Sequence, residues 1–289
     1  RWLLYGGGVL SGALAMGTKE LALMLPVFVL VYEWFFFQDL KLEWLKKAVL
    51  PLAGAAAVMA VAGYFYLGAH PIEWLVSQYA GRDFTLDERL MTELRVVMLY
   101  VSLLVLPLPS RLKLDYDFPL SHSLVDPFTT LLSLAAVVSL AALAVYLARG
   151  ERIVSFAILW FLGNLMVESS IVPLELVYEH RMYVPSMFLG LAAVILAARA
   201  VKPRPVFVGL VCLIVGAFSL WTWQRNAVWS DELAFWQDCV KKSPADARPR
   251  HGLGSYYYDS GDYRQAIEQY AAAIRLDPGY LEAYYSMGN

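Results

Sequence analysis

The chain has 289 residues, 59% of them hydrophobic and only 17% charged, with a mean hydropathy of +0.53. Soluble globular chains are about 45–50% apolar and about 25% charged, so this balance points to a protein that crosses a membrane several times. The formal net charge of −2 argues against nucleic-acid binding.

A membrane-spanning helix takes about 20 mostly apolar residues, roughly 17–25. The runs 21–37, 48–67, 128–148, 153–172, 183–198 and 205–223, with a shorter run at 2–16, predict about seven spans. The chain begins at Arg1 inside an apolar run and stops inside a helical pattern, so both ends read as cuts through a longer protein. Basic residues cluster in three short connections: Lys41, Lys46 and Lys47; Arg149 and Arg152; Arg199, Lys202 and Arg204. The positive-inside rule puts these on the cytoplasmic side. The turn at 17–20, the region 68–127, the hinge at 173–182 and the tail after 224 then lie outside. Val96–Leu108 leaves about 13 apolar residues, which predicts a re-entrant or interfacial helix near 91–107. A full crossing would instead move 108–127 to the cytoplasmic side. Arg82, Asp83, Asp87, Glu88 and Arg89 read as a solvated amphipathic stretch. Cys212 in an apolar run and Cys239 in a polar one predict neither a disulfide nor a metal site.

After Arg225 the pattern becomes amphipathic, and a repeat appears. Leu253, Gly254, Tyr257, Gly261, Ala266, Tyr270, Ala273 and Pro278 follow the tetratricopeptide pattern, and Gly254 recurs as Gly288. Stepping back one period, Trp236 precedes Tyr270 and Pro244 precedes Pro278. The fold expected is all-α. A polytopic transmembrane helix bundle (1–224) is followed by a C-terminal tetratricopeptide (helix-turn-helix) repeat domain (225–289). That domain reads as a half repeat at 230–246, a full repeat at 247–280 and a truncated one at 281–289. Small residues at 254, 266 and 273 let paired helices approach. Asp262 with Gln265 reads as a capping box for the second helix.

Three constellations could carry chemistry. In Glu179-His180-Arg181 three ionisable groups stand just before the span that opens at Tyr183, with Glu168 and Glu175 upstream. An interfacial anchor would explain the arginine and tyrosine, but not three acids converging on one outer face. Arginine suits a phosphate, through two parallel hydrogen bonds. Lys19-Glu20 forms a polar turn that could add a second positive charge; a plain turn is the alternative. Asp115, Tyr116 and His122 belong to a loop that is either a cavity wall touching acceptor and sugar or an ordinary surface loop. The four histidines have no ligand spacing, and no nucleophile elbow, Walker loop or dinucleotide fingerprint is present.

Taken together, the Lys19-Glu20 turn before Pro26, Leu106-Pro107-Leu108 leading to Asp115-Tyr116, the string Glu179-His180-Arg181-Met182-Tyr183-Val184-Pro185 and the trailing repeats resemble a known family. It is that of the tetratricopeptide-containing membrane O-mannosyltransferases, of the GT-C type of glycosyltransferase, and the resemblance runs along essentially the whole chain. It implies a polyprenyl- or dolichyl-phosphate sugar donor, a protein or glycan hydroxyl as acceptor, and reaction on the non-cytoplasmic side of a bacterial inner or endoplasmic reticulum membrane. Arg181, then Lys19, with His180 in support, would meet the donor phosphate. Glu168, Glu175, Glu179, Tyr183, Tyr116 and His122 would line the cavity. The family's catalytic acid sits in a first outer loop upstream of Arg1, which leaves Glu20 and Asp115 as second-rank bases. No cofactor is called for, although a divalent cation would be compatible, and the repeats would hold a protein acceptor or partner. A membrane-anchored scaffold that recruits proteins through the repeats is the main alternative. A transporter is a third reading, but no internal duplication supports it.

Overall fold

A computed structural model describes residues 2–18, 22, 24–46, 49, 53–54, 64, 70–114, 116 and 118–289. The described residues form helices and turns, with no strand among them. They fall into two compact units: Arg1–Tyr100, Leu120–Leu176 and His180–Ala197; and Val101–Pro119, Val177–Glu179 and Ala198–Asn289.

In chain order the helices are α1 (Trp2–Met16), α2 (Leu25–Phe36), α3 (Pro71–Ser77), α4 (Leu86–Val105), α5 (Thr129–Leu147), α6 (Arg152–Glu168), α7 (Tyr183–Ala200) and α8 (Arg204–Trp229). A short 3₁₀ turn, Glu179–Met182, leads into α7. Three stretches among the described residues are long and apolar enough to cross a membrane: α5, Glu179–Ala200 and α8. α8 buries none of its side chains, and Leu213, Ile214 and Val215 all stand exposed. A helix this apolar with an uncovered surface suits hydrocarbon as its solvent. The expected 205–223 run lies inside it, and the helix continues to Trp229. α2 is shorter than the 21–37 run that predicted it, and the 48–67 run falls mostly outside the described residues.

Aromatic rings and small residues hold the first unit together. Phe28 of α2 packs against Trp160 of α6 with ring centroids 4.3 Å apart and the ring planes tilted by 39°. This works because Gly163 lies under the Phe28 ring; a Cβ there would sit 2.8 Å from it. Phe188 of α7 closes the group, 4.9 Å from Trp160 and 5.1 Å from Phe156. Between α5 and α6, Ala144 and Ala157 are fully buried, and the Ser155 hydroxyl donates to the Ala144 carbonyl at 2.6 Å. A buried hydroxyl between close backbones is a common way of joining helices where lipid gives no hydrophobic drive.

α4 departs from expectation. It starts at Leu86, ahead of the apolar run, and it is not among the candidate spans. Its first turn is a capping box. The Glu88 carboxylate accepts from the Thr85 backbone N–H at 2.9 Å, while the Thr85 hydroxyl accepts from Glu88 N–H at 3.3 Å. The solvated stretch expected at 82–89 is corrected at its last residue: Arg89 is fully buried.

The second unit ends in four helices: α9 (Glu232–Lys242), α10 (Ala247–Asp259), α11 (Tyr263–Leu276) and α12 (Leu281–Gly288). Asp231, Asp246 and Asp262 each cap the helix that follows, accepting from backbone N–H groups. The expected capping box takes a variant form, since the Gln265 amide donates to the Asp262 carboxylate at 2.8 Å. Gly261, at φ +82, makes the turn between the paired helices. Trp236 lies over Gly252, and Tyr270 over Gly254. The Asp238 carboxylate takes both Arg225 and Lys242. The Lys242 ammonium also donates to the carbonyls of Pro109 and Leu112, at 2.7 and 3.0 Å, which clips the 106–119 loop to the first repeat helix.

Two outcomes follow from these contacts. A Cβ at Gly254 would meet the buried Tyr270 ring at 2.6 Å. The Gly254→Ala change gains up to about 1 kcal/mol of helix propensity but loses about 1–3 kcal/mol to overpacking. Amide exchange in α10 and α11 should therefore quicken, and slowed exchange would contradict this packing. At the start of α4, the Thr85 backbone N–H, then His122 and the Thr85 hydroxyl, hold the Glu88 carboxyl below its usual range. A lowered folded value gives stability that is present above the unfolded value of about 4.3 and lost as pH falls through the folded one. Acidified below about pH 4, the wild-type protein should lose more stability than E88Q, as read by thermal unfolding.

Candidate functional site

The site grows from the end of α6. Pro173 cannot continue a helix and biases Val172 away from helical geometry. The chain therefore runs irregularly from Ser169 to Tyr178 and leaves its carbonyls without helical partners. Arg89 supplies donors. Its guanidinium reaches the carbonyls of Glu168 at 2.6 Å and Ser170 at 3.1 Å, and also that of Leu174. It is paired with Glu93, one turn along α4, at 3.0 Å. The Tyr79 hydroxyl donates to the Ile171 carbonyl at 2.7 Å.

Arg181, in the 3₁₀ turn, is 6% exposed. Its Nε lies 3.3 Å from the Glu168 carboxylate, itself 2% exposed, and its Nη1 donates to the Glu175 carbonyl. Arg181 also lines a cavity of about 340 Å³. Leu25, Phe28, Trp160 and Val184 form its apolar wall, and Asn164, His180 and Tyr183 join Arg181 as its polar groups. Trp160 is fixed by donating its indole N–H to the Val184 carbonyl at 2.8 Å, and Asn164 donates to the Trp160 carbonyl at 2.8 Å. A greasy pocket of this size with a few convergent polar groups is the usual form of a small-ligand site. A larger hollow of about 420 Å³ lies along 76–88; of its three charged residues, Arg82 and Glu88 face Glu175 and His122, and Asp83 is exposed.

The structure brings some of the expected residues together and separates others. Arg181, His180 and Tyr183 share the cavity, with Glu168 beside the arginine. The remaining acids do not join them as one acidic face. Glu175 pairs with Arg82. Glu179, in the second unit, accepts from the Tyr116 hydroxyl at 2.6 Å and the Lys113 backbone N–H at 2.7 Å. His122 stands exposed, 2.7 Å from Glu88. Thr18 lines the cavity, while Lys19, Glu20 and Asp115 lie outside the described residues. Among the described residues, no group of three or more His, Cys, Asp or Glu side chains is placed to hold a metal ion.

The sequence reading places Arg89 in solvent and gives Glu93 no role, yet a signal for both is present. Positions 89, 92, 93, 96, 97 and 100 fall on one helical stripe, and all six are buried. The charges share a face with Val96, Val97 and Tyr100, so the stripe places them inside.

The repeats have a recognised counterpart, since the TPR repeat family model matches residues 254–289. Among curated proteins, a protein O-mannosyl-transferase of Caenorhabditis elegans is 31% identical over 103 residues, which is 35% of this chain and 15% of that protein. The chain thus spans a small part of that relative's length. No solved structure gives a significant match.

Removing Glu168 should be costly in its own right. Both members of the Arg181–Glu168 pair are buried, and breaking such a pair leaves a charge uncompensated, at a cost of about 3–5 kcal/mol. Thermal unfolding of E168A in detergent should fall well below wild type, with E168Q between them; an unchanged midpoint for E168A would contradict the pairing.

Proposed function

We propose that the chain is part of an integral-membrane glycosyltransferase that moves a sugar from a polyprenyl or dolichyl phosphate to a hydroxyl of a protein or glycan on the non-cytoplasmic side. The observation that carries the reading is a buried guanidinium, Arg181, at the wall of an apolar cavity. An isoprenoid phosphate has this same split character, a greasy chain ending in a dense negative charge. The similarity to a protein O-mannosyl-transferase supports the reading. So do three helices that could place the cavity in a bilayer.

In this scheme the donor's isoprenoid end lies along Leu25, Phe28, Trp160 and Val184. Arg181 meets its phosphate, with His180 beside it at the cavity wall. The acceptor hydroxyl attacks the anomeric carbon, a carboxylate takes its proton, and the bond to the lipid phosphate oxygen breaks. Charge grows on that oxygen as it leaves, and a fixed cation already in place stabilises it without reorganising. Lys19 would add to that charge. Glu20 and Asp115 stay second-rank candidates for the base, with an upstream acid preferred. The membrane bundle (1–224) would hold the donor. The repeats (225–289), on the periplasmic or lumenal side, would hold the acceptor protein, because stacked helical repeats offer an extended face for a partner chain.

The repeats also support a second reading, a membrane-anchored scaffold. The two diverge in one assay. Arg181→Ala combined with Glu168→Gln, which leaves no buried charge uncompensated, should lower sugar transfer in the full-length protein by about a hundredfold or more while the protein still inserts. Undiminished transfer would remove Arg181 from the reaction. Failure of the wild-type protein to bind any polyprenyl-phosphate sugar would favour the scaffold.

A further inference from the structure

Arg89 is fully buried, and its counter-ion Glu93 is 3% exposed. A buried ion pair is a poor source of stability, because apolar side chains of the same volume serve as well or better. Its presence calls for a geometric explanation. Of the guanidinium's five N–H donors, one group faces Glu93 and three bonds go to the carbonyls of Glu168, Ser170 and Leu174. Those carbonyls bracket the irregular segment after α6. Two contacts of Arg181 stand at the ends of that segment: the carboxylate of Glu168, the last residue of α6, and the carbonyl of Glu175, next to Leu174.

We infer that Arg89 is a positioning residue for the cavity arginine. It folds the 168–175 segment around its own guanidinium, and that fold sets the direction in which Arg181 faces the cavity. The inference rests on the donor reading above and extends it to a residue that does not line the cavity. Lysine could not substitute. A lysine ammonium keeps the charge toward Glu93, but it is a compact point donor and cannot span three carbonyls as a planar fork does. The Tyr79 hydroxyl on Ile171 adds one more hold on the segment. Arg82 holds the Glu175 side chain, and Arg89 holds the backbone at both ends, at Glu168 and Leu174.

A double-mutant cycle tests this. Binding of a short-chain polyprenyl monophosphate to the full-length protein in detergent is measured for wild type, R89K, R181K and the double variant. Free polyprenol and inorganic phosphate serve as separate competing probes. Each single change should weaken lipid-phosphate binding by about tenfold to a hundredfold, the usual range for a hydrogen bond to a charged group. The double variant should be no weaker than R181K alone, because Arg89 acts through Arg181. Polyprenol binding should be unchanged in R89K. Losses that multiply in the double variant would overturn the positioning role and leave the donor reading intact. Equal loss of polyprenol and lipid-phosphate binding in R89K would show general damage and overturn it as well. An R181K protein that binds lipid phosphate like wild type would overturn the donor reading itself, and the inference with it. Competition by inorganic phosphate as strong as by the lipid would point to a free-phosphate site and also overturn the donor reading. Should R89K fail to fold, R89Q/E93Q replaces the buried ion pair with neutral amides. It removes the fork while sparing the uncompensated charge, and the same weakening and the same non-additivity with R181K are expected.

Discussion

The first unit depends on how the chain leaves α6. A helix that stops at an apolar surface exposes carbonyls that lipid cannot satisfy, and each one left alone is costly. Here α6 ends at Glu168, Pro173 keeps the helix from resuming, and one guanidinium from α4 answers three carbonyls that lack helical partners. The rest follows in sequence. The segment holds its shape, Glu168 and Glu175 are set in place, and Arg181 is held between them at the cavity wall. The backbone at the end of one helix thus bears on where a side-chain charge can stand.

Both units solve their packing problem with the same device. A large ring needs a neighbour without a side chain, so that the backbone can come close. Phe28 takes Gly163 in the first unit, and Tyr270 takes Gly254 in the second. The pairing gives each contact a single register, because moving the ring by one turn would drive it into a Cβ. In the repeats α10 receives a ring from each side: Trp236 of α9 lies over Gly252, and Tyr270 of α11 lies over Gly254.

Periodicity explains why the repeats could be read from the sequence. Their contacts are short in range and occur again 34 residues on, so Gly254, Ala266, Tyr270 and Ala273 announce a helix pair without knowledge of any distant segment. The apolar runs behind α5, α7 and α8 were legible for a different reason: length and composition alone decide whether a helix suits hydrocarbon. Ion pairing was not legible. Glu168, Glu175 and Glu179 sit close together in sequence. Each nevertheless found a separate partner, in Arg181, Arg82 and Tyr116, and those partners are chosen by tertiary packing. Arg89 was misplaced because its charge was weighed above its position on the helix. The buried stripe from 89 to 100 shows that position was the better guide.

The charges within the first unit's interior also limit what the cavity can do. Arg89 with Glu93 and Arg181 with Glu168 form two buried pairs of opposite charges, so each guanidinium already faces a carboxylate. On the proposed reading, a phosphate reaching Arg181 arrives beside the Glu168 carboxylate and must share the guanidinium with it. Sharing weakens the grip on the ground-state donor. The carboxylate repels the phosphate at every stage and lowers the pull of Arg181 on the bound donor and on the departing phosphate alike. The attraction to the guanidinium still grows with the charge on the leaving oxygen, and that growing part, not the grip on the bound donor, is what lowers the barrier.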